Sequence, residues 1–351
     1  MLFAIRTSPR RPAAAVIAAR NRLFALFSLF ALFTTSAEAQ DIRAAESWPP
    51  GVPAVAVERR VGPPPDSLVR HLRADNRKNG FRQVPRAAMA DPALAADIRQ
   101  AIASMPEAVR RLVAAKLIGV FTVRDLGSTA WADHVRGTDG GWQRGIVALD
   151  VGAIDRRANT WISWRESSAF RAEAGFSLVG RIADPGDDGR IGAIRYILLH
   201  EFAHVASIGE AYLPDWDDPA PATADICGFT YVCLSWADQG RHSHYDDVIP
   251  ERRRIAYYQP PERQLPAAAA GGLYDGLRQS DFVSLYAATS PHEDFAEAFA
   301  NYAHVQLLGL PYRIEVRRDG RTIATAEACW AEPRCAVKRR FIETLLKLTE
   351  G

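Results

Sequence analysis

The chain has 351 residues, 48% hydrophobic and 24% charged, with 43 basic and 41 acidic side chains for a formal charge of +2. That is apolar enough for one large or two small folded domains. It is too nearly neutral for a nucleic-acid-binding surface, which needs a clear positive excess on one face.

Residues 1–39 read as an export signal. Arg10, Arg11, Arg20 and Arg22 give a positive n-region, and Leu23 to Phe33 a largely apolar h-region. Ala37-Glu38-Ala39 is an A-x-A cleavage site that leaves Gln40 first. So short an apolar run falls below the roughly twenty residues needed to span a bilayer, so no stable membrane anchor is expected after cleavage. Arg10-Arg11 makes a faint twin-arginine pattern between Pro9 and Pro12, and leaves the export route open. The leader takes five Arg and one Glu with it, so 43 basic and 41 acidic residues become 38 and 40, about −2.

From Gln40 to about Pro85 the chain is rich in Pro and Arg and has no clear period, which predicts an extended arm, linker or short pro-segment. The folded domain is then expected over residues 86–351. Asp91-Pro92 supplies an N-cap and a first-turn proline for one helix, and Pro106-Glu107 opens another to about Lys116. Leu117–Val123 and Gly145–Val151 are strand-type runs, the second following the turn Asp139-Gly140-Gly141. Trp161–Phe170 fits either period. The polar loop Asp184–Gly189 has Arg195 where a calcium loop needs glutamate, so it reads as a solvated turn. An apolar helix follows over about Ile191–Ala206. Residues 210–275 show little period and read as a loop-rich insertion beside the site. Ser290 to about Leu308 and Ala336 to Lys347 are helical, with a hairpin over Arg313–Thr325 turning at Asp319-Gly320.

The four cysteines form matched pairs, Cys227-x5-Cys233 and Cys329-x5-Cys335. In an exported chain they read as disulfides, local pairing being the simplest connectivity, each contributing about 2.4 kcal/mol through loop entropy. A four-thiolate zinc site would need tighter C-x2-4-C spacing and a reducing compartment. Periplasm and external medium both suit this pattern.

The apolar helix carries His200-Glu201-Phe202-Ala203-His204, an H-E-x-x-H sequence. Positions i and i+4 share a helix face, so both imidazoles can reach one metal ion, with Glu201 placed to act on water beside it. One zinc per chain would take three protein ligands and keep a fourth position open. A third ligand is offered by Ser290-Pro291-His292-Glu293-Asp294-Phe295-Ala296-Glu297. Glu293 and Glu297 stand at i and i+4, where two carboxylates repel unless something positive lies beside them. In the alternative, Glu293 only completes a capping box with Ser290 and Glu297 is the ligand. A metzincin-type ligand would need glycine at position 207 and histidine at position 210, where this chain has Ser207 and Glu210.

With Tyr286 seven residues before Glu293, this set resembles the gluzincin metallopeptidases of the anthrax lethal-factor catalytic-domain type. It is also similar to the site of the Mlc titration factor A family. The resemblance implies Glu293 as a metal ligand and Glu297 as a carboxylate behind the ligands. It further implies Tyr286 as a group that steadies the transition state, a packed core tyrosine being the alternative. It covers the motifs and the helices around them, not the cysteine-bearing insertion.

The expected fold is α+β and zincin-like: a small mixed sheet, the H-E-x-x-H helix beneath it, and a second helix bringing the glutamate. Gly145–Val151 is the expected edge strand along which a peptide would lie. The expected function is an exported zinc metallopeptidase acting on a peptide or protein substrate. Its rivals are a non-catalytic zinc-binding envelope protein and a zinc hydrolase of a non-peptide amide or ester. Intact Glu201 and Tyr286 argue against the first, since a structural site needs neither. His242, His244, His292 and His304 read as surface or loop residues, the first two as a rim to the pocket. The sequence carries no signal for oligomeric state.

Overall fold

A computed structural model describes residues 41–49, 54–216, 225–239 and 241–348, and the expected leader lies outside them. Its centre is a pair of apolar strands, β3 (Leu117–Arg124) and β5 (Trp142–Asp150), which run parallel side by side. They belong to a five-stranded mixed sheet of order β1-β3-β5-β4. β1 (Val61–Gly62) is parallel to β3, β2 (Arg86–Ala87) is antiparallel to β3, and β4 (Ala130–Arg136) is antiparallel to β5.

Side chains alternate along a strand, and that decides what each face covers. Val147 and Leu149 of β5 face a core shared with α2 (Pro92–Ala103), α3 (Glu107–Ala114) and α5 (Arg190–Ser207). Ile146 and Ala148 face the other way, onto Leu68 and Leu72 of α1 (Asp66–Asn79) and onto Ile42 and Trp48. The described residues between 41 and 85 therefore form no extended arm but are built into the domain. The prolines misled because they punctuate here: Pro65 directly precedes α1, whose apolar stripe of Leu68, Val69 and Leu72 is hidden among charged residues.

A second correction concerns the sheet edge. β5 lies between β3 and β4, so the edge belongs to β4. Gly145 through Asp150 are all buried, the continuous apolar pattern of a covered strand. β4 carries Asp133, His134 and Arg136 and escaped sequence reading.

Trp161–Phe170 resolves into α4 (Ala158–Ser167). A second, antiparallel sheet joins β6 (Phe176–Arg181), β7 (Arg313–Arg318) and β8 (Arg321–Glu327). The β7–β8 turn has Asp319 and Gly320 at φ 49° and 75°, the left-handed pair a tight hairpin favours. All of α5 except Arg190, Ile191 and Arg195 is buried, as befits a helix apolar on every side. It ends at Ile208, and Gly209 (φ 71°) turns the chain back.

From Glu210 to Ala269 the described residues form only short 3-10 turns and isolated bridges, before α6 (Ala270–Leu277). α7 (Pro291–Tyr302) runs into a π-helical turn, and α8 (Ala336–Leu345) closes the domain. Both expected disulfides form, Cys227–Cys233 and Cys329–Cys335, which suits an oxidising compartment outside the cytosol. Among the described residues no helix is long and apolar enough to cross a membrane.

His304, expected at the surface, is fully buried in the π-helical turn, where Nε2 lies 3.1 Å from Pro311 O. Burial pulls its pKa down to about 4 from 6.5, against the pull of that carbonyl. The folded value lies below the unfolded one, so this contribution to stability is complete above about pH 6.5 and is lost as pH falls toward 4. Urea unfolding should therefore show His304→Gln losing less stability than wild type across that window, by on the order of 3 kcal/mol. Parallel pH profiles would refute the assignment.

Candidate metal centre

The glutamate-bearing helix is held at its N-terminus and along one side. Ser290 caps α7, its Oγ accepting from Glu293 N (3.2 Å), with Pro291 in the first turn. Asp294 takes Lys338 Nζ of α8 at 2.6 and 2.8 Å and Trp236 Nε1 at 3.1 Å. With Asp294 pinned toward α8, Glu293 and Glu297 are left facing α5.

His200 and His204 bring their Nε2 atoms to 3.1 Å from each other. Glu293 Oε2 lies 3.1 Å from the first and 3.5 Å from the second. Zinc bonds of about 2.0–2.1 Å at tetrahedral angles put ligand atoms about 3.3 Å apart, so the spacing fits. The donor chemistry agrees. Lone pairs turned toward one another repel unless a cation stands among them, and Glu293 Oε2, though enclosed, forms no hydrogen bond. His200, His204 and Glu293 could together hold a metal ion.

Without an ion the same groups compete for protons. Burial lowers the affinity of His200 for a proton, but Glu293 and Glu297 outweigh it and raise its pKa to about 10. Burial would raise Glu293, yet His204 and His200 hold it well below the usual carboxylate range. Glu201 is pushed up by burial, with both histidines opposing.

Glu297 stands behind this group and does not join it. Its Oε1 is 2.9 Å from His200 Nδ1, and it accepts from Arg165 at 2.8 and 3.0 Å and from Ser284 Oγ at 2.6 Å. An imidazole that gives its Nδ1 hydrogen to a carboxylate turns the Nε2 lone pair outward. This geometry decides between the two glutamates. The Glu293 backbone N–H donates to the capping Ser290 Oγ, and its side chain still turns to the histidines.

The Tyr286 ring stacks on His200 (5.6 Å, 29°) and meets Tyr257 edge-on (4.7 Å). Glu201, Tyr286 and the three potential ligands line one cleft of about 650 Å³. Ala130, Trp131 and Ala132 of β4 form another part of its wall, with Tyr257 and Tyr258 also lining it. Trp216 packs on both His204 and His292. His292 is thus a half-buried cleft residue, bonded to Pro214 O (2.9 Å), and no ordinary surface histidine. His242 and His244 are exposed and line no part of the cleft. Glu210 lies outside the ligand group, paired with Lys116 at 2.5 Å, which leaves the metzincin alternative without geometry.

Sequence reasoning missed Arg165, Ser284, Trp216, Tyr257 and Tyr258, none of which sits in a motif. One signal existed for Arg165. Two glutamates at i and i+4 required a positive neighbour, without saying where in the chain it lay.

No family model, no curated protein and no solved structure matches this chain. The site must be read from its own atoms.

Purified protein should hold about one divalent ion per chain by plasma mass spectrometry. Glu293→Ala should weaken it beyond the roughly 10–100-fold typical of losing an outer partner, and Glu297→Ala within that range. Equal effects at Glu210→Ala would contradict the geometry.

Proposed function

We propose that the protein is an exported zinc metallopeptidase of the gluzincin type, with a zincin-like arrangement of sheet and helices. The observation that carries this reading is Glu201 and Tyr286 sharing one cleft with the His200–His204–Glu293 group. A purely structural centre would need neither, and usually closes every position with Cys or His.

A zinc ion bound there would supply Lewis acidity toward a carbonyl oxygen and toward water. Glu201, its pKa raised by burial, is suited to take the proton of an attacking water and return it to the leaving amine. The Tyr286 hydroxyl stays protonated, since burial lifts its pKa far above the usual value. It can therefore donate a hydrogen bond to the oxyanion.

A peptide substrate is favoured over another amide or an ester by the edge of β4. Asp150 N donates to Thr129 O (3.0 Å), which by alternation directs Trp131 and Asp133 into β5 and the main chain of Ala130, Ala132 and His134 outward. Ser128 Oγ donates to Ala130 O, and His134 N donates to Asp133 Oδ1, both at 2.8 Å. Ala132 remains to present N–H and C=O along the cleft, the pair that an added strand uses. The leader and the disulfides support export to periplasm or medium.

Glu201→Gln should keep its metal and lose about 10²–10⁴ in kcat on a fluorogenic peptide library. Tyr286→Phe should lose about 10² in kcat with little change in KM. Metal-loaded wild type that cleaves simple esters but no peptide would move the reading to the second class of hydrolase.

A further inference from the structure

The loop-rich insertion reaches the metal centre through a buried chain of polar contacts. Glu166, beside Arg165 on α4, is fully buried. Its Oε1 accepts from Arg165 Nε (3.1 Å) and Nη2 (2.8 Å). Its Oε2 accepts from the hydroxyls of Tyr274 (2.6 Å), on α6 at the end of the expected insertion, and of Tyr257 (3.1 Å), in the loop-rich segment before it. Arg165 gives Nη1 and Nη2 to Glu297, and Glu297 holds His200 Nδ1. Side-chain exposure along Arg165, Glu166 and Glu297 is 3%, 0% and 0%.

We propose that Arg165, Glu166, Tyr257 and Tyr274 are positioning residues for the metal centre. Through Glu297 they fix which ring nitrogen of His200 faces the ion, so the insertion sets metal affinity. This rests on the metal reading of the His200 group.

Arg165 divides its fork between two carboxylates, with Nη2 shared by both. The division is balanced because two tyrosine hydroxyls satisfy the far oxygen of Glu166. Without them a buried carboxylate is left short of partners, which is costly, and it competes for the guanidinium. Arg165 then shifts toward Glu166, and Glu297 loses the fork that orients it. His200 loses its fixed acceptor, and Nε2 is no longer held toward Glu293 and His204. Tyr257 couples twice, since its ring also packs on Tyr286. Replacing tyrosine by phenylalanine keeps the rings and removes only the donors.

The test uses the full purified chain, with zinc as the probe. Zinc affinity is measured by competition with a chromophoric chelator, and the visible spectrum is recorded on the cobalt-substituted protein. Tyr257→Phe/Tyr274→Phe should weaken zinc binding about 10-fold and shift the cobalt bands, and Arg165→Met should approach 100-fold. Arg165→Lys should recover part of the loss, restoring the charge without the planar fork. If Arg165→Met does not fold, the tyrosine pair decides. Unchanged zinc affinity and cobalt spectrum in the tyrosine pair, even with a lowered thermal midpoint, would make these residues merely structural and overturn the proposal. Wild type that binds no zinc would instead refute the metal centre itself.

Discussion

The buried carboxylate of Glu297 is the constraint around which the other elements arrange themselves. An ionised group taken out of water costs several kcal/mol unless it is paired and fully hydrogen-bonded. Glu297 has no exposure and meets that cost with donors from three directions. α5 brings His200, α4 brings Arg165, and the segment before α7 brings Ser284. Each donor fixes the approach of the element that carries it. The centre cannot be assembled with any of these displaced, because the carboxylate would be left short of partners.

The same logic operates at Asp294 of α7. Asp294 is fully buried against Lys338, whose ammonium is also 3.1 Å from Asp281. Replacing such an ion pair by apolar residues can be neutral, whereas removing one partner typically costs 3–5 kcal/mol. The pair is thus better understood as a device for specificity than for stability. It fixes the rotation of α7, so that the adjacent Glu293 and Asp294, about 100° apart around the helix, serve different neighbours. Lys338 sits on α8, directly after the Cys329–Cys335 loop, which ties the end of the domain to the orientation of Glu293.

What was legible in the sequence follows from how local each signal was. α2 announced itself through the Asp91 cap, whose Oδ1 accepts from Leu94 N. α5 announced itself through its unbroken apolar run and H-E-x-x-H. The β7–β8 hairpin was written in Asp319-Gly320, and the disulfides in two equal spacings. β4 was not legible, because an edge strand lining a cleft carries the polar residues that a strand pattern lacks. α1 was lost among arginines that sit on its solvent side. Arg165 was lost for a different reason: its role depends on a partner in α7 far along the chain, and no spacing rule links them. The three potential ligands lie in short motifs, while the polar groups that back them are spread over α4, the insertion and the turn before α7.

The segment read as an arm also shapes the cleft. Arg43 O accepts from Arg136 N, Arg43 Nε donates to Asp133 (2.9 Å), and His71 lies 3.2 Å from the same carboxylate. Together with the Asp133–His134 contact, these close the β4 edge beyond Ala132, as exposed edges in folded proteins generally must be closed. A peptide added here as a strand, as proposed, would find about two main-chain hydrogen bonds, each with a net contribution of about 0.5–1.5 kcal/mol. That is less than the several kcal/mol that association costs in lost freedom. On that reading, most of the binding energy would come from side chains packed against the aromatic wall of Trp131, Trp216 and Tyr258. Peptide recognition would then fall to shape and ring contact, with the backbone edge setting register.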